Sequence, residues 1–226
     1  MENLFKNIKY KKWLIFISIS LLFLTFELIF LLFGVNFEDI QMEEYAKYML
    51  IKYIVISIIL IIIYHKYLKE KIFDFKNNFK KYSHITIKNW FTGFLIMYAS
   101  NIIISFFITS NGQNEEAVQS LIKSAPYLAF IMTTLFAPFI EEMIFRKSLQ
   151  DCFNNKTLYM IVSGLIFGLI HVAGSSNILE YLLIIPYGAL GFMFAKTINE
   201  TDNIYTTIMM HLLHNGILTI LSMVIR

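Results

Sequence analysis

The sequence predicts an all-α fold, a polytopic membrane bundle of about seven transmembrane helices. Three observations carry this. Of 226 residues, 57% are hydrophobic and only 15% are charged, whereas soluble domains carry about 25% charged residues. The apolar excess falls in blocks of about 20 residues, the length that crosses a bilayer as a helix. Lysines gather between some blocks and acids between others, as the two sides of a membrane require.

The basic segment Met1–Lys12 holds Lys6, Lys9, Lys11 and Lys12. Helix 1 follows over Trp13–Val35; it is too long for a signal peptide and lacks a small-residue cleavage site. Asn36–Tyr48 is acidic, with Glu38, Asp39, Glu43 and Glu44. Helix 2 is the Ile-rich Met49–Tyr64. His65–Asn89 reads as a basic loop, and its interleaved Phe73, Phe75, Phe79 and Tyr82 suit either an interfacial segment on anionic lipid or a solvated loop. Helix 3 spans Trp90–Ser110, and Asn111–Ser124 is polar. Helix 4 is Pro126–Gln150, helix 5 Leu158–Ala173, helix 6 Ile178–Lys196 and helix 7 Ile204–Ile225. Residues 1–125 thus form an N-terminal set of three helices and 126–226 a four-helix core, within one membrane domain.

Lysine and arginine in short loops mark the cytoplasmic side. That places the N-terminus, the Lys66–Lys88 stretch and Arg146–Lys156 inside and the acidic loops outside; seven spans then put the C-terminus outside. The expected location is a bacterial inner (plasma) membrane. The expected partners are lipid and a peptide or protein substrate, not nucleic acid. Cys152 is the only cysteine, which excludes an intrachain disulfide and a cysteine-based metal cluster.

Ionisable groups inside spanning helices are costly and mark function. Helix 4 carries Glu141, Glu142 and Arg146; helix 5 carries His171; helix 7 carries His211, His214 and Asn215. Glu142 and Arg146 are four apart and share a face, so they can pair. Glu141 lies about 100° round the helix. The geometry suggests a division of labour, with Glu142 structural and Glu141 chemical, since an apolar pocket adapts a carboxylate to general-base work. Pro138 should kink the helix and free a carbonyl. In helix 5, Gly164 and Gly168 admit a close neighbour, and Phe167 shares a face with His171. In helix 7, His211 and Asn215 share a face and can supply donors to an oxyanion or bridge helices. No serine or cysteine lies in a nucleophile motif, so water is the simplest nucleophile.

These motifs resemble the family of CAAX prenyl-protein proteases and bacteriocin-processing or self-immunity proteins, which are intramembrane peptidases. Glu141-Glu142-Met143-Ile144-Phe145-Arg146 matches its Glu-Glu-x-x-x-Arg motif. Phe167-Gly168-Leu169-Ile170-His171 matches Phe-x-x-x-His, and His211-Leu212-Leu213-His214-Asn215 matches His-x-x-x-Asn. The match covers about Pro126–Val224. The resemblance implies an intramembrane endopeptidase in which Glu141 activates water and His171 helps hold it. It further implies that Glu142 and Arg146 orient the site, while His211 and Asn215 stabilise the oxyanion.

The resemblance leaves metal open. The preferred reading needs no cofactor; the alternative is a zinc protease with Glu141, His171 and His211 as ligands and a fourth position for water. Two other classes compete: a non-catalytic immunity or scaffold protein, and a proton-coupled transporter that would use Glu27 and Lys52. On these boundaries His171 lies toward the outer end of helix 5 and Glu141 toward the inside, an offset of order 10 Å at about 1.5 Å per residue. Helix 5 therefore has to tilt or start outside the hydrocarbon for His171 to join the site.

Overall fold

The structure is a computed structural model, and it describes residues 2–37, 39–108, 112–175 and 177–225, the side chains of 2–8 excepted. Glu38, the Lys6 side chain and the end of helix 3 at Ser110 lie outside the described residues. Every regular element among the described residues is helical. The elements are α1 (Glu2–Thr25), α2 (Glu27–Leu32), α3 (Met42–Asn77), α4 (Phe79–Ile104), α5 (Gln113–Ser124), α6 (Pro126–Ile131), α7 (Ala137–Glu142), α8 (Lys156–Val172), α9 (Ile184–Thr201) and α10 (Ile204–Val224). Two π-helical turns, Met132–Phe136 and Met143–Ser148, flank α7, and a 3₁₀ turn, Ile178–Leu183, leads into α9.

The fold is the polytopic membrane helix protein that the composition predicts. Among the described residues, Met42–Asn77, Pro126–Ser148, Ile178–Thr201 and Ile204–Val224 are long and apolar enough to span, and Lys156–Val172 is a shorter apolar helix. Seven is therefore an approximate count. Leu21, Ile58, Ile62, Leu165, Leu169, Ile217 and Leu221 are all exposed. So many large apolar side chains turned outward suit lipid rather than water.

Two expected loops are helical instead. The basic stretch His65–Asn89 continues α3 to Asn77, breaks at Asn78 and resumes as α4. No glycine or proline interrupts it, and lysines are good helix formers. The stop comes from Asn78, whose side-chain amide bonds the Asp74 carbonyl oxygen at 3.1 Å and the Asp74 carboxylate at 2.8 Å. The polar stretch before Pro126 contains α5, an amphipathic helix with Glu115 and Glu116 in its first turn, where the helix dipole favours acids.

The chain divides into two compact units. The first contains residues 1–68, 120–152 and 211–226; the second contains 69–119 and 153–210. In the first, Ala46, Met49, Ala125 and Met132 form a core against which Phe30, Phe37, Tyr45 and Tyr48 pack. In the second, α8 and α9 come together through glycine. A Cβ on Gly168 would stand 2.7 Å from the Ile184 carbonyl oxygen, and one on Gly164 2.8 Å from that of Gly188. This is the close approach expected of the Gly164/Gly168 pair.

The start of α10 is also fixed in the second unit. The Asn203 amide donates to the Lys71 carbonyl oxygen and to the Asp74 carboxylate, both at 2.8 Å. Its side-chain oxygen accepts from the Tyr205 N–H at 3.1 Å, which satisfies one of the open donors at the helix start. Tyr82 donates to the Asp74 carboxylate at 2.9 Å; burial first, and this bond second, push the Tyr82 hydroxyl up to about 12.

Candidate active site

The backbone around the two glutamates departs from regular α-helix on both sides. Ala137 donates to the Met132 carbonyl oxygen five residues back, and Leu149 reaches Ile144 in the same way. Pro138 lacks an N–H and cannot complete an ordinary turn with Thr134. Single π-turns inside helices recur at functional sites, and here they bracket the segment that ends in Glu141 and Glu142.

Glu142 is completely buried, as is Arg146. Arg146 Nε lies 3.3 Å from Glu142 Oε2, so the pair expected from the four-residue spacing forms. The other oxygen of Glu142 accepts from His211 Nδ1 at 2.9 Å. Both carboxylate oxygens therefore face a cationic or donor group, which is what burying a charge requires. Glu141 is the more open acid, with its side chain 15% exposed. Its Oε2 stands 3.9 Å from His211 Nε2.

His211 thus lies between the two carboxylates, with one ring nitrogen toward each. Its imidazole is nearly buried, and His214, three residues on, is buried as well. One turn further on, Asn215 donates from Nδ2 to the Thr133 carbonyl oxygen at 3.0 Å. Thr133 belongs to the first π-turn, and its hydroxyl lies 3.1 Å from that of Thr219. The first unit therefore brings together Glu141, Glu142, Arg146 and His211, and ties Asn215 to the irregular turn just before them.

His171 belongs to the second unit. Its Nδ1 lies 2.7 Å from the Phe167 carbonyl oxygen, which fixes the proton on Nδ1 and leaves the lone pair of the neutral ring on Nε2. The ring is held from two sides. Tyr187 stacks on it at 4.5 Å between centroids, and Phe167 packs at 4.4 Å.

Thr133, as the acceptor for Asn215, and Tyr187, as the ring beneath His171, are absent from the sequence reading. Tyr187 follows Pro186 in an apolar stretch, and only the fold pairs it with the histidine. Glu27 and Lys52 form an ion pair in the first unit, 3.0 Å apart.

The zinc alternative can be tested against the donors. Among the described residues, no three His, Cys, Asp or Glu side chains gather as one metal ion requires. Glu141 and His211 supply a pair, one ligand short of the usual catalytic zinc set.

Comparison with known proteins points the same way as the motifs. Residues 123–217 match the family model described as type II CAAX prenyl endopeptidase Rce1-like. YdiL of Bacillus subtilis, provisionally named a membrane peptidase, is 31% identical over 121 residues, 52% of this chain and 46% of that protein. An uncharacterised protein of Mycoplasma capricolum is 31% identical over 137 residues, 54% of this chain and 40% of its own length. The UPF0177 protein YajF of Lactococcus lactis is 28% identical over 189 residues, 78% of this chain and 89% of its own. The chain spans less than half the length of the first two. No solved structure matches significantly. The matched segment contains the Glu141–Arg146, His171 and His211–Asn215 motifs, so the motif-bearing part of the chain is similar to the Rce1-like domain of CAAX prenyl endopeptidases.

Proposed function

We propose that this chain is an intramembrane endopeptidase that hydrolyses a peptide bond of a membrane-associated substrate with water activated by Glu141. The observation that carries the reading is His211 held between Glu142 and Glu141. Glu142 and Arg146 neutralise each other. Glu141 adds a second negative charge, which a low-dielectric interior disfavours. One proton placed on His211 balances the set. His211 is then a cation with Nδ1–H on Glu142 and Nε2–H facing the space beside Glu141, which stays a carboxylate.

In that state Glu141 takes a proton from a water molecule as the water oxygen bonds to the peptide carbonyl carbon. The carbonyl oxygen gains the charge, and His211 Nε2–H is the donor aimed at it. Asn215 uses one N–H on Thr133, and its amide carries a second, which we assign to the same oxyanion. The C–N bond then breaks as Glu141 returns its proton to the departing amine. The products are a carboxylic acid and an amine, which part as carboxylate and ammonium once the acid's proton passes to the amine. The family resemblance implies that His171 helps hold the attacking water; within its own unit, Tyr187 and the Phe167 carbonyl fix its ring. The family resemblance supports a protease acting at the membrane. The lysine distribution supports a cytoplasmic N-terminus in a plasma membrane.

The test uses the full chain in liposomes, with membrane peptides supplied in water enriched in oxygen-18. Mass spectrometry should find two products, with the label in the new carboxylate. Glu141→Ala and His171→Ala should each suppress them. If both variants cleave like the parent, the assignment is wrong.

A further inference from the structure

The mechanism leaves the ion pair of Lys52 and Glu27 unused. Lys52 sits in the apolar part of α3 with its side chain 9% exposed, and its ammonium lies 3.0 Å from Glu27 Oε1. A lysine in a spanning segment is costly enough to demand a role. The pair is lopsided: the Glu27 side chain is 39% exposed, so the cation is the interior partner and the acid the open one. Lys52 is held from the other side as well, with Nζ 5.1 Å from the centre of the Phe23 ring. Glu27 opens α2, and only Phe26 separates it from the end of α1 at Thr25. Its backbone is therefore at a break between helices, while that of Lys52 is in mid-helix.

The pair also lies close to the proposed chemistry. Phe23 stacks on Tyr53 at 6.4 Å and meets the edge of Phe145 at 6.4 Å. Phe145 is one helical turn beyond Glu141. One aromatic layer, Phe23 with Tyr53, therefore connects Lys52 to Phe145, in the helical segment that carries Glu141, inside the first unit.

We propose that Lys52 is an anion subsite that takes a carboxylate of the bound peptide, with Glu27 as its resting counter-ion. This rests on the endopeptidase reading and adds a substrate preference to it. An ammonium has three N–H donors, so Lys52 can keep Glu27 or exchange it as the ligand arrives. In apolar surroundings only an anion compensates its charge. The anions a peptide can offer are its C-terminal carboxylate and the side chains of aspartate and glutamate. A neutral peptide end would leave the pair closed and gain nothing from it.

The experiment measures binding rather than cleavage, so its outcome is independent of turnover. A short fluorescent apolar peptide is titrated onto the full chain carrying Glu141→Gln in liposomes. It is supplied as the free acid, as the C-terminal amide, and as an amide with one internal glutamate. The acid should bind roughly tenfold tighter than the amide, as a charge-assisted bond allows. The third peptide tells whether a side-chain carboxylate serves equally. Adding Lys52→Met should bring the acid-to-amide ratio to about one, whereas Lys52→Arg should keep it well above one. Glu27→Gln, which removes the competing acid, should raise it. A parent ratio near one, a ratio that survives Lys52→Met, or a ratio unmoved by Glu27→Gln overturns the subsite. Should Lys52→Met fail to fold, the parent ratio and Glu27→Gln decide alone. Failure of the cleavage test with a ratio of ten would sink the endopeptidase reading and leave the subsite standing.

Discussion

His211 donates through Nδ1 to the Glu142 carboxylate at 2.9 Å, joining α10 to the end of α7 within one unit. The bond fixes which way the imidazole faces and turns its second nitrogen toward Glu141. The surroundings of the two neighbouring glutamates differ at this contact: Glu142 is paired on both oxygens, and Glu141 faces a ring nitrogen across a gap.

Breaking the buried pair should be costly. Arg146→Met leaves Glu142 with one cationic neighbour fewer in a fully buried position, and loss of one partner of such a pair costs about 3–5 kcal/mol. Arg146→Met should therefore lower the unfolding temperature in detergent markedly. Arg146→Met combined with Glu142→Gln should recover part of it, because the stranded charge is gone. Equal melting of the parent and Arg146→Met would show that the pair does not support the fold.

Asn215 has a structural bond and a proposed catalytic one, and kinetics can separate them. Asn215→Ala should lower kcat by about 10²–10³ with little change in KM if its second N–H serves the oxyanion. A rise in KM at constant kcat, or a fall in stability without a kinetic effect, would confine Asn215 to its bond with Thr133.

The glycine contact between α8 and α9 gives a packing prediction free of chemistry. Gly168→Leu puts a side chain where the Ile184 carbonyl oxygen stands 2.7 Å from an added Cβ. Overpacking of this kind costs about 1–3 kcal/mol. Thermal unfolding should drop accordingly, and Gly34→Ala, where a Cβ meets nothing within 4 Å, serves as a comparison for space. Gly34 has φ +83°, so that variant tests backbone strain alone.

Cys152 should be inert. Burial pushes its thiol up to about 11, and the group is 3% exposed. The raised value favours the neutral thiol, so at pH 8 only about one molecule in a thousand is thiolate. N-ethylmaleimide at pH 8 should leave Cys152 unmodified by mass spectrometry and any cleavage unchanged. Rapid labelling would contradict the burial, and loss of cleavage on labelling would implicate the thiol.

The parts of this architecture that follow from helical periodicity are legible in the sequence. Glu142 and Arg146 pair because four residues make one turn, and Gly164 and Gly168 meet α9 for the same reason. Charge was a poorer guide. It marks the membrane boundary, yet α3 runs through Lys66, Lys69 and Lys71 to Asn77, because lysine ends no helix. Periodicity also assigns a face without a partner. It put His211 and Asn215 on one side of α10, but not His211 against Glu142, nor Asn215 against a carbonyl of a π-turn. That turn has Pro138 as its only sequence signal, and the ring beneath His171 has none.

The role of Glu141 is tested most directly by single-turnover cleavage of a membrane peptide by the reconstituted chain, comparing the parent with Glu141→Gln. Gln keeps the size and removes the base, so the unfolding temperature should stay close to that of the parent. The rate should fall by at least about a hundredfold, the scale of a lost general base. A Glu141→Gln chain that cleaves within about twofold of the parent would contradict glutamate-activated hydrolysis at this site.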